Sequence, residues 1–208
     1  MKNLLVGMVI SLGVLISAFT PRMDARPRSV KAPEQAGTWT VDKAHTNVKF
    51  SVSHLVISDV EGNFKSFDGT MTSSKSDFTD AKINFTVDVS SVNTDNENRD
   101  NHLKSPDFFD VAKYPKMTFV STSIVPLGNN KFTLVGNLTI KDITKPVTFE
   151  VTFGGTANAM GGTHAGFKAT AKIDRYDYNL KWSMATEAGG AVVGKEVDIT
   201  LNVDFKKS

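Results

Sequence analysis

Beyond Thr38, one pattern governs the chain: apolar and polar residues alternate with a period of two. Val48, Phe50 and Val52 alternate with Lys49, Ser51 and Ser53, and Ile83, Phe85, Val87 and Val89 with Lys82, Asn84, Thr86 and Asp88. Phe132, Leu134, Gly136, Leu138 and Ile140 share a face, as do Val147, Phe149, Val151 and Phe153. Ala165, Phe167, Ala169, Ala171 and Ile173 form another row, and Val197, Ile199, Leu201, Val203 and Phe205 the cleanest. Shorter candidates at 60–72 and 117–122 bring the strands to about eight. Side chains project alternately from the two faces of a strand, so each segment has one wet face and one that must be covered. No long amphipathic helix is available to cover a sheet. The apolar faces therefore cover one another, in a sandwich or in a closed barrel. Gly128-Asn129-Asn130 and Lys141-Asp142 are short turn sequences that favour antiparallel neighbours, and Gly154-Gly155 and Gly161-Gly162 bracket a further connection.

The alternation breaks between residues 94 and 115. Thr94-Asp95-Asn96-Glu97 has capping-box form, and Ser105-Pro106 offers an N-cap followed by proline at a first helical position. Two short helices are predicted, near 95–103 and 106–110. The first has a single large hydrophobe, Leu103, and is expected to lie over an opening, held by its ends and by charge pairs. The second gathers Phe108 and Phe109 with Val111 and Tyr114, enough apolar surface to dock on the sheet.

Composition removes several function classes. The 208 residues contain no cysteine, which excludes a disulfide scaffold, a thiolate metal site, a cysteine nucleophile and a lipidated N-terminal cysteine. The chain carries 24 basic and 22 acidic residues, but five of the basic and two of the acidic ones precede Gly37. The remaining 19 and 20 nearly cancel, so charge gives no support to nucleic-acid binding. Residues 1–20 read as a cleaved secretory signal: Lys2, then an uncharged apolar run shorter than the roughly 20 residues of a membrane span, followed by arginines. Residues 21–36, with three prolines and mixed charge, read as a disordered tether, and 37–206 as the working domain.

Sequence signatures of catalysis are missing. There is no G-x-S-x-G elbow, no H-E-x-x-H and no glycine-rich phosphate loop, and His45, His54, His102 and His164 show no metal-ligand spacing. No catalytic residue and no metal ligand is assigned. In Asn98-Arg99-Asp100-Asn101-His102 two readings compete: His102 as a base oriented by Asp100, or Arg99 and Asp100 pinning a polar helix to a rim, which is favoured because no nucleophile or electrophile accompanies the histidine. His54 continues the inward parity of Val48, Phe50 and Val52. It is either a core histidine with a polar partner or the polar point of a lined cavity.

Phenylalanine is the informative residue type, with 14 Phe against three Tyr and two Trp. Phe50, Phe64, Phe85, Phe132, Phe149, Phe153, Phe167 and Phe205 fall on inward rows, interleaved with Gly62, Gly136, Ala165, Ala169 and Ala171. Small residues facing large ones fill a narrow barrel; the same residues can instead leave a dry channel walled by aromatics.

Longer stretches carry a family resemblance. Residues 42–55, DKAHTNVKFSVSHL, resemble the opening strand of the YceI family of polyisoprenoid-binding periplasmic proteins. Val60-Glu61-Gly62-Asn63-Phe64 with Phe67-Asp68-Gly69 resembles its second hairpin, and the most specific stretch is 98–111, NRDNHLKSPDFFDV, ending in Tyr114-Pro115 and Phe119. Residues 136–141 with 144–147, and Val193-Gly194-Lys195-Glu196-Val197, complete the likeness. At Tyr178-Asn179 the chain departs from an aromatic-Gly pair common in the family, which puts ligand choice at a pocket mouth in question.

The resemblance implies an all-β fold, an eight-stranded antiparallel lipocalin-like barrel with the short helices near one opening. It implies a periplasmic, non-enzymatic carrier that sequesters a long polyisoprenoid or similar amphipathic lipid in its bore. The residues expected against that ligand are Phe50, Val52, His54, Phe64, Phe85, Phe108, Phe132, Phe149, Phe167 and Ala169. No cofactor is expected, an isoprenoid quinone being a candidate ligand. The expected partners are an isoprenoid or fatty-acyl chain and a transient membrane contact, without nucleic acid, and a dimer is compatible with the pattern. A lipid isomerase or hydrolase on the same barrel and an envelope interaction module are the alternatives.

Overall fold

The structure, a computed structural model, describes residues 37–159, 161–184 and 191–208. The signal and tether readings at 1–20 and 21–36 lie outside the described residues.

Among the described residues, eleven strands join in one antiparallel sheet: β1 (Gly37–Val41), β2 (Asn47–His54), β3 (Ser58–Phe64), β4 (Phe67–Ser73), β5 (Lys82–Asp88), β6 (Val92–Asn93), β7 (Lys116–Gly128), β8 (Lys131–Ile140), β9 (Ile143–Ala159), β10 (Gly162–Asp174) and β11 (Val193–Lys207). Three pairs of these are single strands with a break. β1 and β2 both lie along β11, through Trp39↔Lys207 and Leu201↔Val48, and β4 and β3 follow them in the same way. β5 and β6 are joined by a single 3-10 turn, Val89–Ser91. Counted so, eight strands run as a meander, and the β1–β11 pairing closes them into a barrel. Closure is the physical answer to one-sided strands without covering helices, since it buries every apolar face and removes the edges.

The stretch 60–72, read above as one strand, is broken at Lys65-Ser66. Both amides there are taken out of the ladder by Ser91, Lys65 donating to its carbonyl at 3.1 Å and Ser66 to its hydroxyl at 3.0 Å. The turn sequences act as expected. Asn129 (φ 50), Asn130 (φ 60) and Lys141 (φ 56) adopt the left-handed conformation that reverses the β7–β8 and β8–β9 hairpins.

The helical expectations at 95–110 need two corrections. One α-helix forms, α1 (Glu97–Lys104), capped by Asn96, whose side chain accepts from the Arg99 amide, and not by Thr94. Asp95 sits at φ 57, so the helix cannot begin there. The second predicted helix is a series of turns. Its amides are already spent on the end of α1: Phe109 donates to the Leu103 carbonyl at 3.0 Å, Asp110 to Ser105 at 2.9 Å and Val111 to Lys104 at 3.1 Å. Ser105 is thereby the C-cap of α1.

The β5–β7 ladder stops at Asp88↔Lys116, and residues 94–115 are inserted at that end of the barrel. The other end is closed by a loop that the alternation does not reveal. Between β4 and β5, Phe78 is fully buried and packs on Trp39 at 5.6 Å and on Phe153 and Phe167 at 5.4 Å between ring centroids. Asp80 fixes this loop by accepting from the Ser73 hydroxyl (2.6 Å) and the Ser74 amide (3.0 Å). These donors hold its carboxyl well below the usual carboxylate range.

Candidate functional site

Among the described residues, three cavities inside the barrel follow one another from floor to mouth. The deepest, about 150 Å³, has Phe78, Met71 and Ala81 at its floor and Phe85, Phe149, Phe167 and Ala169 in its wall. An apolar cavity of that size is dry and takes a benzene-sized guest. The middle cavity, about 120 Å³, lies under Leu103, Phe108 and Phe109 from the inserted segment and Leu180 from the β10–β11 connection. The mouth cavity, about 360 Å³, is bounded by Val52, Ser53, His54, Asn98, Arg99, His102, Phe108 and Trp182. Phe50 lines all three, and Phe64, Met117, Ile140 and Ile199 are common to the deep and middle ones. Hydrocarbon dominates the inner walls, and polar side chains gather at the mouth.

The expected ligand residues distribute along this path. Phe50, Phe64, Phe85, Phe149, Phe167 and Ala169 line the deep cavity, and Val52, His54 and Phe108 the mouth. Phe132 is buried in the core but borders none of the three. The small inward residues do not all create space. A Cβ at Gly62 would overlap the Phe50 ring, one at Gly136 the Phe119 ring, and one at Gly69 would lie 2.6 Å from Phe85. At these glycines, large-on-small packing fills the bore; the open volume lies beside the aromatics.

His54 sits half-buried at the end of β2, opposite Val193. Its ring lines the mouth cavity and forms no hydrogen bond among the described residues. His102 has a different setting from the one in which Asp100 would orient it. Asp100 is buried and accepts from the Thr94 amide (2.9 Å) and hydroxyl (2.6 Å), while Arg99 donates to the Thr94 hydroxyl (2.8 Å) and carbonyl (2.7 Å). Together they clamp α1 to the strand end before it, which is the pinning reading. The His102 ring stands edge-on to Phe108 (5.1 Å) and Trp182 (4.8 Å), with Nε2 3.0 Å from Asp107. These three rings form an aromatic wall of the mouth.

Arg175 is a buried anchor of this end of the barrel. It is 3% exposed and donates to the main-chain carbonyls of Gly194 (2.7 Å), Trp182 (2.9 Å), Val193 (3.0 Å) and Leu180. Burial lowers its pKa, while Tyr176 and Asp174 act in the opposite direction. One guanidinium thus stitches the β10–β11 connection to the start of β11 and sets Leu180 and Trp182 over the cavities. A lone arginine after an alternating row gives no sequence signal of this, because its partners are all backbone.

Relatives share this chain's architecture. The Staphylococcus aureus (strain MSSA476) protein UPF0312 protein SAS2572 is 40% identical over 172 residues, 82% of this chain and 98% of the relative. Among solved structures, BcnA of Burkholderia cenocepacia superposes with a TM-score of 0.67 at 28% identity, covering 79% of this chain and 98% of that one. The Campylobacter jejuni YceI protein does so at 0.63 and 33% identity, covering 80% and 96%. A polyisoprenoid binding domain from Saccharophagus degradans shares the fold at 0.62, with 14% identity and 82% and 98% coverage. The YceI-like domain family matches residues 39–205, almost the whole described barrel, and the chain belongs to that family.

Proposed function

We propose that this protein binds a long, largely apolar lipid of isoprenoid type in the barrel bore, as a non-catalytic carrier in the bacterial periplasm. The observation that carries this reading is the path from floor to mouth: three adjoining cavities with hydrocarbon-dominated inner walls and polar side chains concentrated at the mouth. The deep cavity alone matches a benzene-sized guest, so a chain that uses the whole site must thread past Phe50. Affinity would come from removing hydrocarbon from water, about 0.8 kcal/mol per CH₂. A ten-carbon segment then gains about 8 kcal/mol before ordering costs. His54, Asn98 and Arg99 would meet the head group. Supporting it, the solved Saccharophagus degradans domain of the same fold is described as polyisoprenoid binding, and residues 1–20 read as an export signal.

The test is to extract the purified protein with organic solvent for mass spectrometry, then add polyprenyl alcohols and quinones. Co-purified lipid, or a rise in Tm on addition, is the expected result. Neither lipid nor shift overturns the reading. Recovery of chemically altered lipid from wild type but not from His54→Ala would favour an enzyme instead.

A further inference from the structure

The hairpin joining β2 to β3 ends in three consecutive aliphatics, Leu55, Val56 and Ile57, which are 40%, 75% and 85% exposed. Its backbone reverses over the three residues between His54 and Ser58, in a turn centred on Leu55 and Val56. Leu55 (φ 54) and Val56 (φ 66) are both left-handed, and the Ile57 amide donates to the His54 carbonyl at 3.3 Å. Reversals of this kind are the natural place for Asn-Gly, and a β-branched residue at positive φ is strained. The sequence therefore departs from good turn chemistry to present apolar side chains to water. Such local conflict with folding is the mark of a functional segment.

We infer that this tip inserts into the interfacial region of a lipid bilayer and brings the mouth against the membrane that supplies the ligand. Its position connects it to the site, for His54 on one side of the tip lines the mouth cavity, and the Leu55 amide is bonded to Val192 of the same rim at 3.1 Å. Met184, 60% exposed, lies in the β10–β11 connection, and its carbonyl accepts from the Val192 amide at 2.9 Å, adding another apolar side chain at that rim. Three side chains at a convex tip are far too small for a stable protein–protein interface, which needs about 800 Å² from each partner. They match the shallow wedge that interfacial segments bury among head groups. The segment 53–60 contains no lysine or arginine, and Asp59 is its one formal charge. Insertion is therefore apolar in origin, insensitive to salt and not strengthened by anionic lipid.

The choice of a membrane partner rests on the proposed lipid-carrier function, so the experiment separates the two. The full exported chain is sedimented with phosphatidylcholine vesicles, alongside Leu55→Asn/Val56→Gly, which supplies the favoured turn pair, and Ile57→Ser. Wild type is expected to bind and both variants to lose binding by about tenfold or more, with the double variant's Tm equal to or above wild type. Uptake of a polyprenyl alcohol delivered from ethanol is expected to be unchanged, and uptake from vesicles to slow. Wild type left in the supernatant, or a folded double variant that sediments as wild type does, overturns the inference. So does a concentration-dependent dimer that the double variant abolishes without vesicle binding, which would assign the tip to a second copy. Vesicle binding without any uptake of the alcohol would overturn the carrier reading and leave the membrane contact standing.

Discussion

The ring of Phe50 lies directly over Gly62, its partner across the β2–β3 ladder, so closely that a Cβ on Gly62 would overlap it. Thr94 closes the same spot, its methyl 2.8 Å from where that Cβ would be. Phe50 also borders all three cavities, so the glycine sets the position of the ring that divides deep bore from mouth. Gly62→Ala is expected to push the ring off its seat and cost about 1–3 kcal/mol by overpacking, with weaker binding of a polyprenyl alcohol. Phe50→Ala removes the divider and is expected to admit bulkier hydrophobes, at a stability cost of at most about 3 kcal/mol because the ring is only partly buried. Denaturant unfolding and titration with lipids of graded width read both effects.

Arg175→Met leaves four carbonyls without their shared donor. A loss of about 3 kcal/mol or more is expected, since each buried unpaired acceptor costs about 1–3 kcal/mol. The effect should also be spectroscopic. Trp39 is wholly buried at the floor, so a red shift in tryptophan emission would report release of Trp182 at the mouth. Arg175→Lys should recover only part of the stability, because an ammonium cannot reproduce a fork reaching carbonyls on two segments.

Asp100→Ala should free α1 while leaving the barrel closed. The buried Thr94 amide and hydroxyl lose their acceptor, a cost of about 1–3 kcal/mol. Hydrogen exchange should speed up in α1 (Glu97–Lys104) and stay slow in β8–β10. His102→Phe keeps the aromatic wall but drops the Asp107 contact. It is expected to change the unfolding free energy by less than about 1 kcal/mol, since that contact is exposed.

A pH signature should come from His45 and Asp42, whose Nδ1 and Oδ2 are 2.9 Å apart. The hydrogen bond to His45, then the Ala44 amide, lowers the Asp42 pKa; the hydrogen bond to Asp42 and its charge raise that of His45. A depressed carboxyl contributes stability above its unfolded value, about 3.9, that is lost as pH falls through the folded pKa. A raised imidazole contributes stability below about 6.5 that is lost as pH rises through the folded pKa. The Tm difference between wild type and His45→Gln should therefore be widest between about pH 4 and 6.5 and shrink at alkaline pH. A difference that grew above that range would contradict the pairing.

Much of this architecture is legible in the residues. The inward rows read from alternation supply Phe50, Phe64, Phe85, Phe149, Phe167 and Ala169 to the bore, because the period of two depends only on strand geometry. What alternation cannot see comes from segments outside strands. Phe78 reaches the floor from a loop held by Asp80, and Leu180 and Trp182 reach the cavities from a connection held by Arg175. The cap of α1 differs from the local expectation for a related reason. Thr94 and Asn96 are both good caps locally, and the choice between them is made by the buried Asp100, which claims Thr94.

The sequence by itself determined that one-sided strands must close on each other around a phenylalanine-rich interior, without disulfides and near electrical neutrality. That follows from a burial pattern that each strand carries locally. Only the tertiary structure decided how much of the interior stays open, since the same small residues can hold space or be covered. Gly62, Gly69 and Gly136 are covered by rings from neighbouring strands, while the bore beside those rings remains unfilled. Whether a ring falls on a glycine or beside it depends on cross-strand register and barrel curvature, which arise only when the strands have closed.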